Sequence, residues 1–378
     1  MPPGAAIGIL GGGQLGRMMA LAGRTMGYRF ITLDPTEDSP GGQVSDHQIV
    51  ANYDDRTGAA DLAAHSNVIT YEFENVDAGT AAILEKESFV PQGSELLRIT
   101  QNRIREKTTL NSIGIPVAPF QVINSVEEAE QAAHELGLPL VMKTATGGYD
   151  GKGQKVIDTL QEVRNAFEQL SVFKADLILE KFIPFTKEIS VIAARSLSGE
   201  IRTFPAAENV HRRNILHLSI VPARIPDTLE ADAKRLAEEI ADKLDVIGLI
   251  AVEMFVTQEG HLLVNELAPR PHNSGHYTMD ACVTSQFEQH IRAICGLPLG
   301  STRLLTPVVM VNVLGEHLQP LLERVNELPD MVKLHLYGKK ESKPQRKMGH
   351  LNVPAQSVEE ALQIIDTLEI WTTTEVGQ

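Results

Sequence analysis

Strand and helix alternate up to about residue 100, and no other feature of the chain constrains its fold as tightly. AAIGIL (5–10) reads as a short buried strand running straight into GGGQLGRMMALAG, and YRFITLD (28–34), VITYEF (68–73) and SFVPQ (88–92) follow with helical patterns between them. Strands joined through helices return to the sheet in the same direction, so this spacing predicts a parallel, doubly wound α/β sheet.

Within it, Gly11-x-Gly13-x-x-Gly16 follows a strand and opens a helix, and Asp34 ends the next strand, 18 residues after Gly16. That is the dinucleotide fingerprint in its required context. The physics guarantees only an anion site, because N–H groups at a helix N-terminus hold any phosphate. A nicotinamide cofactor, another phosphorylated molecule and a purely structural tight turn all remain open at this point.

From about 94 a helical stretch reaches IGIPVAP, where Gly114, Pro116 and Pro119 stop it. Ser125 and Glu128 form a capping box ahead of VEEAEQAAHEL, and Gly137 ends that helix. The strands PLVMKT, QKVI and DLILEKF with a helix around 160–170 complete a small α+β module. Hairpins come next: EISVIAAR and EIRTFPA flank SLSG, and LIAVEMF and HLLVNEL flank TQEG. A helix from about 279 to 295 precedes a tail, 306–378, of short strands with one helix at 357–368. The expected units are 1–100, 101–185, 186–305 and 306–378.

The second hairpin carries a conflict. With a tight turn at Glu259-Gly260, residues whose numbers sum to 519 face each other, which sets Glu253 opposite Glu266. Two carboxylates at cross-strand distance repel. A solvated face would relieve them, but Val252, Met254, Leu263 and Leu267 point to burial. A divalent cation, most simply Mg2+ or Mn2+, resolves the conflict and would complete its shell with phosphate oxygens.

A net charge of −15 argues against binding nucleic acid or an anionic membrane through the overall field. Cys282 and Cys295 are too few for a disulfide framework or a thiolate zinc site, which points to a reducing compartment. No apolar run approaches the roughly 20 residues that span a bilayer, and MPPGAAIGILGGG lacks the basic start of a signal peptide. The expected location is the cytoplasm.

KTATGGYDGKGQ (143–154) packs four glycines and two lysines into twelve residues but fails the Walker spacing, since three residues separate Gly147 from Gly151 and Gly153 follows Lys152. Lys143 ends a strand, placed to reach a phosphate. Glu180 and Lys181 end another strand in EKFI, with Glu188 beginning the next. A strand-end carboxylate followed by the backbone of Lys181, Phe182 and Ile183 can bind a ribose and an adenine edge.

The order Arg103, Lys143, GGYDGKG, EKFI, Glu188, His211, Glu253 and Asn265-Glu266 resembles the ATP-grasp superfamily over essentially the whole chain. GILGGGQLGRMM, YEFENV, TGGYDGKGQ, NELAPRPHNSGH and GKKESKPQRKMGHLN narrow it: the chain is similar to the 5-(carboxyamino)imidazole ribonucleotide synthases of purine biosynthesis. The resemblance implies a Rossmann-like pre-ATP-grasp domain, two central ATP-grasp subdomains and a small C-terminal module that completes the larger one. It implies an ATP-grasp C–N ligase that uses ATP, bicarbonate and aminoimidazole ribonucleotide and forms carboxyphosphate on the way. Two departures stand out: Lys152 replaces the arginine of some relatives, and Arg103 the lysine of many ATP-grasp enzymes.

On that resemblance, Arg103, Lys143, Gly148, Tyr149, Gly151, Gly153, Glu180–Ile183, Glu188, His211, Asn265 and Glu266 hold ATP, with Glu253 and Glu266 on magnesium. Tyr149, Asp150 and Lys152 contact the second substrate. Arg270, His272 and Asn273 hold bicarbonate and the carboxylated intermediate. Asp150 orients or deprotonates the amine, with His272 the rival base. Two regions compete for the ribonucleotide phosphate. One is Gly13-Gln14-Leu15, with Glu74 near a ribose hydroxyl. The other is the run 339–347, whose local charge of +4 stands out, and the resemblance favours its Lys340, Arg346 and Lys347. A homodimer is implied, and with no mutase domain after residue 378 a separate downstream mutase is expected. Three rivals stay in play: a formate-dependent glycinamide ribonucleotide transformylase, an NAD-dependent oxidoreductase and a non-catalytic nucleotide-binding regulator. Tyr71, Phe73 and Trp371 read as core, and His47, His65, His134, His217, His261 and His290 as ordinary.

Overall fold

The N-terminal strands do form a parallel sheet, in the order His47–Ile49, Arg29–Leu33, Ala6–Leu10, Val68–Tyr71. The structure is a computed structural model that describes residues 1–74, 76–147 and 153–371. The expected strand at 88–92 is absent: Ile69 N–H reaches Phe89 O, but Pro91 brings no donor to extend the ladder. His47–Ile49 takes the fourth place instead, in a stretch too polar to read as a strand. Ile7, Ile9, Phe30 and Val68 pack against Phe287 and Ile291 of the helix Gln286–Cys295, which joins this sheet to the rest of the molecule.

A second, antiparallel sheet runs Phe120–Ile123, Leu177–Lys181, Leu140–Thr144, Gln154–Ile157. Its covering helices, Val126–Leu136 and Leu160–Ser171, bury Ala129, Ala132 and Ala133 and Val163, Ala166 and Leu170, the one-sided spacing of amphipathic helices. Ser125 caps the first by accepting from Glu128 N–H, and Gly137, at φ 70°, ends it. Glu128 reaches one residue further back than a capping box requires and accepts from Asn124 N–H.

The third sheet has nine strands: Leu262–Ala268, Gly248–Thr257, Phe185–Arg195, Ala207–Arg212, Ile215–Val221, Val308–Leu314, Lys347–Pro354 and Lys333–Leu336, with Ile201–Thr203 pairing alongside Phe185–Arg195. Helix Asp227–Lys243 covers one face through Ala233, Ala237, Ile240 and Ala241. Tyr277, Ala281 and Ala293 cover the other. Burial on both faces explains near-continuous apolar runs such as GLIAV. The strands after 306 extend this sheet, and helix Val358–Thr367 packs on them through Ala361 and Ile365. The helix expected at 279–295 is two, Thr278–Ala281 and Gln286–Cys295, because Cys282 bridges to Leu304 and Ser285 starts a fresh cap. The hairpin 207–221 was not legible: it turns at Arg213-Asn214 with φ 52° and 62° and carries no glycine to mark it.

Candidate active site

Glu253 does pair with Glu266, by a route other than the expected ladder. From Met254 outward the hairpin runs one residue out of that register (Met254 opposite Val264), and a bulge at Asn265 restores it at Glu253. Bulges re-aim side chains and recur beside active sites. Here Asn265 and Glu266 both reach the wall of a cleft of about 920 Å³ that Glu253 also lines. A second bulge, between Val210 and His211, lies two strands away and brings His211 to the same cleft.

The charges around the cleft interleave. Arg103 lies 3.3 Å from Glu266, and its own N–H is held by Ala145 O. Lys143 donates to Glu180 at 2.9 Å, and the fully buried Lys107 lies 3.5 Å from the same carboxylate. Burial opposes the Glu180 charge, but Lys143 and Lys107 more than offset it and hold the carboxyl below its usual range. Its Oε1 is buried without a hydrogen-bond partner among the described residues, as is Lys107 Nζ. Three cations about one carboxylate make a pocket suited to a polyanion beside an acceptor aimed at a donor.

Glu253 is in the opposite condition. Burial first, and the charge of Glu266 second, push its carboxyl well above the usual range. His272 Nε2 lies 3.1 Å from Glu253 Oε1. Burial and then the Arg270 charge hold His272 far below its ordinary value, so its ring is neutral at pH 7. His211 contacts Glu188 at 2.6 Å; burial works against its charge, but that bond and the charges of Glu188 and Glu253 raise its pKa. Arg270 is bound to Glu74 and to Pro271 O, and burial of Glu74 is outweighed by that partner, which keeps its carboxyl low.

Glu74, Arg103, Lys143, Glu180, Lys181, Phe182, Ile183, Glu188, His211, Glu253, Asn265, Glu266, Arg270, His272, Asn273 and Lys347 therefore line one cleft. Lys181 turns its ammonium to Gly137 O and Leu138 O, leaving backbone rather than side chain toward the cleft. Asn273 is held head to head by Asn312, with bonds of 2.7 and 3.1 Å. Gly153 closes the strand pair through its carbonyl, which accepts from Thr144 N–H at 2.9 Å. Gly148, Tyr149, Asp150, Gly151 and Lys152 lie outside the described residues.

Lys340 and Arg346 line a separate recess of about 470 Å³ with Thr36, Pro40 and Lys339. Gly13, Gln14 and Leu15 line neither, and the glycine turn is already filled. Glu72 accepts from Gly13 N–H and, at 2.6 Å, from Gly16 N–H, while Asp34 accepts from Gly12 N–H at 2.8 Å and from the Tyr53 hydroxyl. The helix dipole is answered by the chain's own carboxylates. Leu15 packs in the core. So Gly12, Gly13 and Gly16 already donate within the chain, and the nicotinamide reading loses its support.

Sequence reasoning missed several residues. Glu106, buried, accepts from Leu267 N–H and is pushed up to about 8 by burial and by Glu266. Its helix reads EKTTLN, with nothing to separate it from a surface charge. Lys107, Glu72 and Asn312 were missed as well. The one available signal for Asn312 was a lone polar residue inside the apolar strand VVMVNVL.

Comparison with known proteins gives a consistent picture. Family models match in three places: a ribonucleotide synthetase preATP-grasp domain at 5–101, an ATP-grasp domain at 108–287 and a phosphoribosylaminoimidazole carboxylase C-terminal domain at 308–364. The chain is 52% identical over 376 residues to the N5-carboxyaminoimidazole ribonucleotide synthase of Bacillus subtilis strain 168, covering 100% of this chain and 98% of that one. Against the Staphylococcus aureus strain COL enzyme of the same name it is 43% identical, covering 95% of each. Among solved structures, an ADP complex of N5-carboxyaminoimidazole ribonucleotide synthetase superposes with a TM-score of 0.95 at 55% identity, covering 98% of each chain. The Aspergillus clavatus enzyme in complex with ADP and 5-aminoimidazole ribonucleotide gives 0.92 at 31% identity, covering 98% of this chain and 99% of that one.

Proposed function

The chain belongs to the N5-carboxyaminoimidazole ribonucleotide synthases, ATP-grasp ligases, and from that membership we propose how its cleft converts ATP, bicarbonate and 5-aminoimidazole ribonucleotide into ADP, phosphate and the N5-carboxylated ribonucleotide. The observation that carries the reading is the half-buried Glu253 set opposite Glu266 on a wall ringed by Arg103, Lys143 and Arg270.

Adenine enters between the two central modules. The free Glu180 Oε1 accepts from its exocyclic amine, and the backbone of Lys181–Ile183 takes the ring edge. The Lys143 ammonium has three hydrogens and gives one to Glu180, which leaves two for phosphate. Glu188 and His211 take the ribose side. Asn265 and Arg103 face the phosphates.

Glu253 and Glu266 fit a divalent cation, since burial and the facing Glu266 charge both oppose ionisation of Glu253 and positive charge beside the pair relieves that. Magnesium held there would neutralise phosphate charge. A bicarbonate oxygen attacks the γ-phosphorus and ADP leaves, a transfer in which positioning and charge neutralisation do most of the work. Arg270, tied to Glu74, supplies a fixed guanidinium for the carboxyphosphate oxyanion, and Asn273 is kept in place by Asn312. The exocyclic amine of the ribonucleotide then takes the carboxyl group. Asp150 is the base for that amine, and Tyr149 and Lys152 contact the ribonucleotide beside it. Lys340 and Arg346, on the separate recess, and Lys347, on the wall of the main cleft, hold the substrate phosphate. We further take the enzyme to be a cytoplasmic homodimer that hands its product to a separate mutase.

Isotope labelling decides the chemistry. Carbon from labelled bicarbonate should appear in the ribonucleotide product; carbon from formate, with glycinamide ribonucleotide as acceptor, would replace this reading with the transformylase one.

A further inference from the structure

A line of buried polar residues crosses the sheet beneath the cleft. Ser190 sits directly across from Glu253, Asn209 lies on the next strand, and Ser219 is opposite Asn209 on the strand after that. All three are at most 6% exposed, and Ser274, from the short turn after the hairpin, is 1% exposed. Their hydrogen bonds run one way. The Ser219 hydroxyl donates to Asn209 Oδ1 at 3.0 Å, Asn209 Nδ2 donates to Ser190 Oγ at 2.9 Å, and the Ser190 hydroxyl donates to Ser274 Oγ at 2.7 Å. Ser274 Oγ then meets His272 Nδ1 at 2.8 Å.

The Ser274 hydroxyl at 2.8 Å is the main partner of Nδ1, and the Ser274 backbone N–H, which can only donate, adds a longer contact at 3.3 Å. Both favour Nδ1 as the acceptor, with the proton of the neutral ring on Nε2. Nε2 is the atom that faces Glu253. Gln286 holds the same residue from behind, accepting from His272 N–H and donating to His272 O. A row of buried polar groups weakens an apolar sheet unless every member is bonded, and here each is. The row ends on one ring nitrogen.

We propose that Asn209, Ser190 and Ser274 are positioning residues that lock His272 in its Nε2–H tautomer, so that it presents a hydrogen-bond donor to the carboxylate end of the cleft and not a base. This deepens the ligase reading and rests on it. His272 then spends its one N–H on Glu253 and steadies that carboxylate at the phosphate end of the cleft. The proton of the attacking amine leaves by another group.

Histidine-specific ¹⁵N labelling of the full-length protein, without nucleotide or metal, reads the tautomer from long-range proton–nitrogen correlations. His272→Gln assigns the signal. The wild type should carry its proton on Nε2. Asn209→Asp keeps the shape but turns a donor into an acceptor, so the Ser190 hydroxyl is drawn toward the new carboxylate and away from Ser274. That variant should show a population protonated on Nδ1, and should release severalfold more ADP per carboxylated product with a near-normal KM for ATP. Ser190→Ala breaks the same link if Asn209→Asp does not fold. Ser219→Ala, at the far end, should leave the tautomer unchanged. A wild-type proton on Nδ1, or an unaltered His272 signal in both link variants, overturns the proposal. Absence of any carboxylated product from the wild type would sink the ligase reading and leave the tautomer measurement standing.

Discussion

Replacing Glu253 by glutamine should abolish turnover and yet make the metal-free protein more stable. The carboxyl is desolvated and faces Glu266, and it keeps its proton in the fold up to about pH 8 against an ordinary 4.5. The sign follows from where protons sit. Between those values the unfolded chain releases the proton and the folded chain retains it, so stability conferred below pH 4.5 drains away as pH rises. Each pH unit costs about 1.4 kcal/mol, giving about 3.5 kcal/mol at pH 7 as an upper bound. Glutamine matches the volume, carries no charge, and its carbonyl still accepts from His272 Nε2–H. A gain of about 1–3 kcal/mol is therefore expected, a rise of several degrees in apparent melting temperature. Thermal unfolding of wild type and Glu253→Gln in EDTA at pH 5 and pH 7 measures it. The difference should be large at pH 7 and small at pH 5, and added magnesium should stabilise only the wild type. A variant no more stable than wild type at pH 7 in EDTA would refute the claim that the pair is in electrostatic conflict without a cation.

Two more outcomes follow from the same structure. Alanine at Lys340 and Arg346 removes charge-assisted bonds worth about 1.5–3 kcal/mol each, so the KM for ribonucleotide should rise at least tenfold while that for ATP stays constant; unchanged steady-state constants would place the phosphate elsewhere. The protein should also lose stability as pH falls from 6.5 to 5. Burial first holds His217, His272, His276, His290, His317 and His350 below 6.5, and these six outnumber Glu72, Glu106 and Glu253, which burial raises. A depressed histidine favours the fold above 6.5 and opposes it below, whereas a raised carboxyl does the reverse. The net of three groups leaves at most about 4 kcal/mol lost per pH unit. A denaturant midpoint that rises on acidification across this window would contradict the balance.

Local chemistry was legible in the sequence, and contacts between distant segments were not. Strand alternation, the Ser125 cap and the Glu253/Glu266 pairing all depend on a few neighbouring residues. Even there the pairing came true through a bulge at Asn265 that no residue type announces. The glycine turn shows the limit. Its N–H groups looked open for a ligand because the residue that fills them, Glu72, stands 56 positions beyond Gly16 and reads as an ordinary strand-end acid. The polar line from Ser219 to Ser274 was hidden for the same reason, since its members come from three separate strands and a turn. Glu106 and Lys107 read as helix surface, but Glu106 meets the hairpin carrying Glu266 and Lys107 meets Glu180 of the second sheet.

The central claim is that one cleft joins ATP cleavage to carboxylation of the ribonucleotide through Glu253 and Glu266. Release of ADP from Mg-ATP and bicarbonate, with and without 5-aminoimidazole ribonucleotide, tests it most directly. The account predicts strong stimulation by the ribonucleotide, lost when magnesium is omitted and lost in Glu266→Gln. Full ADP release in Glu266→Gln would contradict it.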